Sequence, residues 1–312
     1  MKHSKSTIIL LLLLLLWGCN SHHPHQTTVR QTHTRGFPLT IVDSSGHRLT
    51  LPSLPDRIVS CAPSITEILY KLGLGKRLVL DSTSCDFPVE AKNKPHFNAL
   101  SGDIEPILAQ NPDLIIVIKN LNGRIIAPLE KARAPVLSVD VSNLKSVYQS
   151  IISIGKATGK EALARQLAGS LQERIAAVHA AISHGKSPPS VLILYGTNPI
   201  YTTGPNSYIN DLLNSAGGRN VVNSPLLGDI ISPEAVVVKQ PQIIICPAEV
   251  VESVKNMPGW AKNVPAVRFN RFYTSDTELE RPGPRMADAV EKLARFLHPV
   301  SMRRYKPPFN TR

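Results

Sequence analysis

The sequence is poor in acids, aromatic rings and cysteines, and no apolar run in it is long enough to cross a bilayer. Aspartate and glutamate total 23 against 35 lysines and arginines, a formal charge of +12. That excess is spread along the chain, without a basic block or stacking aromatics beside it, which argues against a nucleic-acid groove. It suits an exported protein working near anionic lipid. Aromatic residues make up 5 % and apolar residues 42 %, a balance that fits an aliphatic-rich α/β protein. Cysteine is confined to Cys19, Cys61, Cys85 and Cys246, none at zinc-type spacing. The chain also lacks a G-x-S-x-G turn and an H-E-x-x-H helix. An exported hydrolase, the enzyme alternative, therefore has no nucleophile or metal motif, and Gly46-His47 and Ser183-His184 read as isolated surface pairs.

What is present begins at the amino terminus. Lys2 and Lys5, with no acid nearby, precede the apolar run Ile8 to Trp17. Its ten residues fall short of the roughly 20 needed by a spanning helix and fit the core of a secretory signal. The run ends in Leu16-Trp17-Gly18-Cys19, which resembles a bacterial lipobox. In such a motif the cysteine is diacylated on sulfur and becomes the new amino terminus, so residues 1–19 are expected to be a lipoprotein signal peptide. Several acyl chains, at about 0.8 kcal/mol per buried methylene, hold a protein stably at a membrane. Residues 20–36 are polar and almost free of aliphatics, which predicts a flexible tether; His22, His23, His25 and His33 lie in it as solvated side chains. With Cys19 lipidated, three cysteines remain, so at most one disulfide closes within the chain.

The remaining roughly 275 residues are enough for two lobes. FPLTIVD and HRLTLP, joined by Ser44-Ser45-Gly46, predict a hairpin. Arg57 to Cys61 reads as a strand and Pro63 to Gly73 as a helix, with Ser64 as N-cap, Glu67 three residues on and Gly73 as the stop. Further strands at Leu78–Leu80 and Leu114–Ile118 alternate with helical segments, which predicts a mostly parallel sheet with ligand-facing loops at its carboxyl ends, where Cys61, Cys85 and Asn120 sit. Ser142 to His184 predicts a helical portion and then a long helix over Lys160 to Ser183, with Leu163, Leu167, Leu171, Ile175 and Val178 on one face. At 1.5 Å per residue that helix reaches roughly 35 Å, enough to bridge two lobes. A second α/β unit starts with the strand Ser190 to Tyr195. The order Glu105, helical turn, Pro112, strand to Val117 recurs as Glu234, turn, Pro241, strand to Cys246, and the equal spacing points to an internal duplication. The expected divisions are a first lobe at 37–141, a bridging region at 142–185, a second lobe at 186–299 and a basic tail at 300–312.

The blocks RIVSCAPSITEILYKLGLG from Arg57, CDFP from Cys85, E…NPDLIIV from Glu105, and YTTG and SPE near Tyr201 and Ser232 resemble the periplasmic binding proteins that carry the iron-siderophore and cobalamin binding domain. The resemblance covers Phe37 to Pro299. GTNPIYTTG, SAGGRNVV and TSDTELERPGPR place the second half nearest the cobalamin-binding branch. It implies an α/β fold of two Rossmann-like lobes with central, mostly parallel sheets, joined by one long helix around a ligand cleft. It also implies an ABC importer's substrate-binding lipoprotein facing the periplasm or cell exterior, a monomer partnered by permease and ATPase subunits. In such receptors a glutamate on each lobe docks on permease arginines, and those positions match Glu105 and Glu234. A carboxylate at a helix start is also favoured by the helix dipole.

The resemblance leaves the cargo open. In the cobalamin branch two tryptophans six residues before the docking glutamates line the corrin; here those places hold Ala99 and Gly228, so that aromatic clamp is missing. A corrinoid is the preferred ligand, with heme, a ferric siderophore, or a sensing role without transport as alternatives. No resident cofactor is expected, the metal arriving inside the chelate. Heme would ask for an axial tyrosine or histidine, for which Tyr201 and Tyr208 are candidates. By loop position, the donors and acceptors for a polar chelate are Ser64, Ser84, Cys85, Asp86, Asn198, Tyr201, Asp276 and Arg281. A Cys61–Cys85 disulfide is a further expectation, because both follow neighbouring strands.

Overall fold

A computed structural model describes residues 36–182, 187–222 and 230–308. The chain enters through an antiparallel hairpin, β1 (Leu39–Val42) and β2 (Arg48–Leu51). Asp43 organises its turn, Oδ1 accepting from the Ser45 and His47 amides while Oδ2 accepts from the Ser138 amide. One aspartate thus shapes the turn and fastens it to the first lobe.

That lobe runs β3 (Ile58–Ser60), α1 (Pro63–Lys71), β4 (Leu78–Ser82), β5 (His96–Phe97), α2 (Glu105–Leu108), β6 (Leu114–Ile118), α3 (Gly123–Lys131) and β7 (Val136–Val139). Its sheet is parallel throughout, in the order β5-β4-β3-β6-β7. Two helices follow, α4 (Leu144–Ala157) and α5 (Glu161–Ile182). The second lobe runs β8 (Ser190–Thr197), β9 (Ile200–Thr202), α6 (Tyr208–Ser215), β10 (Arg219–Asn220), α7 (Pro233–Lys239), β11 (Ile243–Cys246), α8 (Val251–Lys255), α9 (Trp260–Asn263), α10 (Pro265–Arg268), β12 (Phe272–Thr274), α11 (Thr277–Glu280) and α12 (Met286–Leu297). Here β10-β8-β11-β12 are parallel and β9 lies antiparallel against β8.

The two sheets have the same strand order once β4, β3, β6 and β7 are matched to β10, β8, β11 and β12. The repeated Glu–Pro blocks occupy matching places, and each proline follows a residue in the left-handed region, Asn111 at φ 45° and Gln240 at φ 49°. Neither is glycine, so each position costs some strain; its recurrence in both lobes supports the duplication.

Packing joins the lobes more tightly than a single connecting rod would. Along β6, Leu114, Ile116 and Ile118 face one way and Ile115 and Val117 the other, the period-two alternation of a strand buried on both faces. β11 divides likewise, Ile243 and Ile245 from Ile244 and Cys246. The first set in each lobe belongs to one continuous core that also takes in Val147 and Ile151 of α4 and Leu171, Ile175 and Val178 of α5. The other sets form separate cores, one per lobe. Both sheets therefore rest on a common helical layer. Asn143 and Ser146 cap α4 reciprocally, Asn143 Oδ1 accepting from the Ser146 amide at 2.9 Å and Ser146 Oγ from the Asn143 amide at 3.1 Å. A Cβ on Gly155 would fall 2.2 Å from the Ala164 Cβ, so only glycine lets α4 and α5 approach this closely.

Two local expectations need correction. The cap of α1 is Ala62, with extended backbone and no side-chain bond, and Ser64 lies inside the first turn. Pro63 explains this: its fixed φ suits the first helical position and it has no amide to satisfy. Leu163 is 41 % exposed instead of lying on the buried face of α5. The buried line there begins with Ala164 and Ala168, whose small side chains permit the close approach of α4 and leave the larger Leu163 beside it.

Candidate ligand cleft and the joint beside it

Between the lobes lies a cleft of about 540 Å³, inside the usual range for small-molecule sites. The first lobe supplies Ile118 and Asn120 from the end of β6, and Asp140, Val141 and Ser142 from the end of β7. The second supplies Tyr195, Tyr201, Thr202 and Thr203 from the β8–β9 hairpin, then Ser207, Tyr208 and Ile209 where α6 begins, with Glu280 and Pro282 at the rim. Parallel strands end here in both lobes, and so side chains on their exit loops converge.

The three tyrosines differ. Tyr195 and Tyr201 are half-exposed at 44 % and 46 %, whereas Tyr208 is buried and its hydroxyl donates to the Arg281 carbonyl at 3.2 Å. Burial pushes the Tyr208 phenol well above its ordinary value. Partial burial, and then the Glu280 carboxylate, push Tyr195 up to about 12. Both therefore serve as neutral hydroxyls at physiological pH.

Beside the cleft the lobes are bolted together by the segment Arg281-Pro282-Gly283-Pro284-Arg285. Arg285 grips Glu67 of α1 with two nitrogens, Nη2 at 2.6 Å and Nε at 2.9 Å, and lies 4.3 Å from the centre of the Phe87 ring. The Glu67 side chain is 2 % exposed. Arg281 pairs with Asp86, donates to the Ser84 carbonyl at 3.3 Å and stands 3.7 Å from Glu67. That guanidinium holds the Asp86 carboxyl below the usual range. Gly283 lies over buried Ser64, where a Cβ would be 3.5 Å from that of Ser64.

Of the residues expected to bind ligand, Tyr201 lines the cleft, while Ser84, Asp86 and Arg281 are drawn together into the joint and Ser64 is packed beneath it. Asn198 is exposed in the Asn198–Pro199 turn between β8 and β9. Asp276 caps α11, accepting from the Glu278 and Leu279 amides at 3.1 and 3.0 Å. Cys85 is buried and ends a hydroxyl relay: Thr66 donates to Ser60 Oγ at 2.8 Å and Ser60 to the Ala62 carbonyl at 3.1 Å, leaving the Cys85 thiol to donate to Thr66 Oγ1 at 3.2 Å. Burial pushes this thiol up to about 11.

The expected Cys61–Cys85 disulfide is not formed; both are buried free thiols, as is Cys246. Proximity of the two strand ends alone did not fix the orientation that a bridge requires. Glu105 and Glu234 are exposed in the first turns of α2 and α7, one on each lobe. Ala99 is packed in the first lobe's separate core, while Gly228 and Cys19 lie outside the described residues.

Sequence reasoning passed over Asp140, Ser142, Tyr195 and Glu280 as lining residues. Tyr195 was noted as the end of a strand, and its place near the carboxyl end of β8 was the available signal. Among the described residues no three His, Cys, Asp or Glu side chains gather as a metal site, and no helix is long and apolar enough to cross a membrane.

Two duplicated α/β lobes on a common helical layer, with a cleft where their strands end, define a ligand-binding receptor. The chain belongs to the periplasmic binding protein family, whose pattern matches residues 58–279. It is 31 % identical over 300 residues to YvrC of Bacillus subtilis, an uncharacterized ABC transporter substrate-binding lipoprotein, covering 93 % of this chain and 95 % of that one. The vitamin B12-binding protein BtuF of Vibrio cholerae superposes with a TM-score of 0.70 at 26 % identity, over 80 % of this chain and 99 % of that one. The apo periplasmic heme-binding protein RhuT of Roseiflexus does so at 0.71 and 27 %, over 79 % and 99 %. The chain is thus the substrate-binding component of an ABC importer, working with permease and ATPase partners; it is not an enzyme.

Proposed function

We propose that this receptor captures a corrinoid in the inter-lobe cleft and delivers it to its permease. The observation that carries the reading is the lining. Tyr195, Tyr201 and Tyr208 line the cleft from one lobe, opposite the Asn120 amide and Ser142 hydroxyl of the other. A corrin is a flat, largely apolar ring edged with amide side chains. Stacking surface on one side and paired donors and acceptors around it suit that shape. The likeness to a vitamin B12-binding protein supports the same choice. The tryptophan clamp of the cobalamin branch is replaced, in this reading, by the tyrosines of the β8–β9 hairpin.

In this reading the metal enters within the chelate. Cys19 carries the lipid anchor that holds the receptor outside the membrane as a monomer. Glu105 and Glu234, exposed at the starts of corresponding helices, contact the permease. A heme ligand is the second reading, favoured by the half-exposed Tyr201 in the cleft and by the likeness to a heme-binding protein.

Calorimetric titration of the mature chain with cobalamin, cobinamide, hemin and a ferric siderophore tests the proposal. A corrinoid is expected to bind with one-to-one stoichiometry. Binding of hemin or the siderophore with no corrinoid binding would contradict it. If hemin binds, Tyr201→Phe is expected to remove a phenolate–iron absorption band only under the heme reading.

A further inference from the structure

The charge of the cleft is opposite to that of the chain. Although the protein as a whole carries +12, the described residues lining the cleft include two carboxylates, Asp140 and Glu280, and no lysine or arginine. The acids come from opposite lobes, Asp140 after β7 and Glu280 at the end of α11. Each is held by a local hydrogen bond: Asp140 Oδ1 accepts from the Ser142 amide at 2.9 Å and Glu280 Oε1 from the Ser275 hydroxyl at 2.6 Å. Neither forms an ion pair with a lysine or arginine among the described residues.

The basic residues next to them in sequence do not restore the balance. Arg281 adjoins Glu280, but its guanidinium is turned into the joint, on Asp86, the Ser84 carbonyl and Glu67. Arg285 is occupied by Glu67. Lys119 adjoins Asn120 without lining the cleft. A ligand that enters therefore meets two negative charges across a partly desolvated gap where Coulomb interactions are stronger than in bulk water, and it meets hydroxyl and amide groups in place of the guanidinium forks that bind carboxylates.

We infer that Asp140 and Glu280 set the charge class of the cargo: the cleft accepts neutral or cationic metal chelates and rejects polyanionic ones such as free-carboxylate tetrapyrroles and ferric tricatecholates. The inference rests on the reading of this cleft as the cargo site, and it narrows that cargo to corrinoids whose side chains are amides, or to cationic hydroxamate chelates. The neutral phenol of Tyr195 fits this, as a donor to carbonyl oxygens.

The experiment compares ligands of one shape and different charge. Calorimetry at low and physiological ionic strength would be run with cobinamide, which carries amides, and with cobyrinic acid, its heptacarboxylate counterpart. Cobyrinic acid is expected to bind at least 100-fold more weakly. The gap should narrow by tenfold or more in the Asp140→Asn/Glu280→Gln variant, and should narrow with added salt as Debye screening requires. Equal binding of the two by the unmodified protein would overturn the inference while leaving a corrinoid receptor intact, and this comparison does not depend on the variant folding. If neither corrinoid binds, the corrinoid reading fails, and charge selection is read from ferrioxamine B, a cationic trihydroxamate, against ferric enterobactin, a trianionic tricatecholate. Preference for ferrioxamine B would sustain the inference. Preference for the tricatecholate, or binding of hemin with no neutral or cationic chelate bound, would overturn it.

Discussion

The lobes meet in two neighbouring regions that treat charge in opposite ways. At the joint, Glu67, Asp86, Arg281 and Arg285 bring equal numbers of acids and bases together, and Glu67 is almost wholly enclosed. In the cleft, two acids stand with no lysine or arginine among the described lining residues, and two tyrosines lie half open. One region has its bonding capacity satisfied and fixes the lobes; the other keeps capacity for a ligand. The contrast places stability in the joint and recognition in the cleft.

The largest effect is expected from Arg285→Ala. It removes both hydrogen bonds to the buried Glu67 carboxylate and leaves it only Arg281, 3.7 Å away, at a cost of about 3 kcal/mol, the lower end for breaking a buried pair. Thermal melting should show a fall of about 10 °C at the few degrees per kcal/mol typical of chains this size. Replacing both Glu67 and Arg285 with apolar residues of similar volume should recover most of that loss, because it is the buried charge without its hydrogen-bonded partner that is costly.

Second is Tyr201→Ala, the converse case. Its ring is half-exposed, so the melting temperature should stay nearly unchanged, while calorimetry should show roughly tenfold weaker cobinamide binding, in line with about 0.5–1.5 kcal/mol for an aromatic contact. A variant that melts much lower without losing affinity would break the division between the two regions.

Third, the shared helical layer and the joint leave little freedom for hinge motion. Small-angle scattering should show only a slight contraction on ligand addition, and a large one would contradict the common core.

The smallest effect belongs to Asp86→Asn. The Asp86 side chain is 52 % exposed, so its pair with Arg281 is worth about 0–1 kcal/mol. Because the folded-state pKa is lowered, that contribution is fully present above the ordinary aspartate value of about 3.9 and is lost as pH falls through the lower folded value. Denaturant melts of the two proteins should differ by a constant amount at neutral pH and converge in strong acid.

Local signals made the framework readable. Period-two and period-3.6 patterns marked the strands and long helix, and the repeated Glu–Pro spacing revealed the duplication. What escaped depends on partners distant in the chain. Glu67 and Arg285 are 218 positions apart, and nothing local told that Glu67 would leave its helix cap to pair across the lobes. Loop position offered Arg281 as a ligand residue, but could not tell which way its guanidinium would turn, and it turns onto Asp86, Ser84 and Glu67. The same ambiguity hid Glu280, one residue earlier, which faces the cleft while Arg281 faces the joint.

Hydrogen exchange of the chain with and without cobinamide tests the central claim most directly, because it reads both regions in one measurement. The account predicts added protection at Tyr195–Ile209, at Ile118–Asn120 and at Asp140–Ser142, with Ser64–Phe87 unchanged. Protection appearing in Ser64–Phe87 while the cleft segments stay unaltered would contradict it.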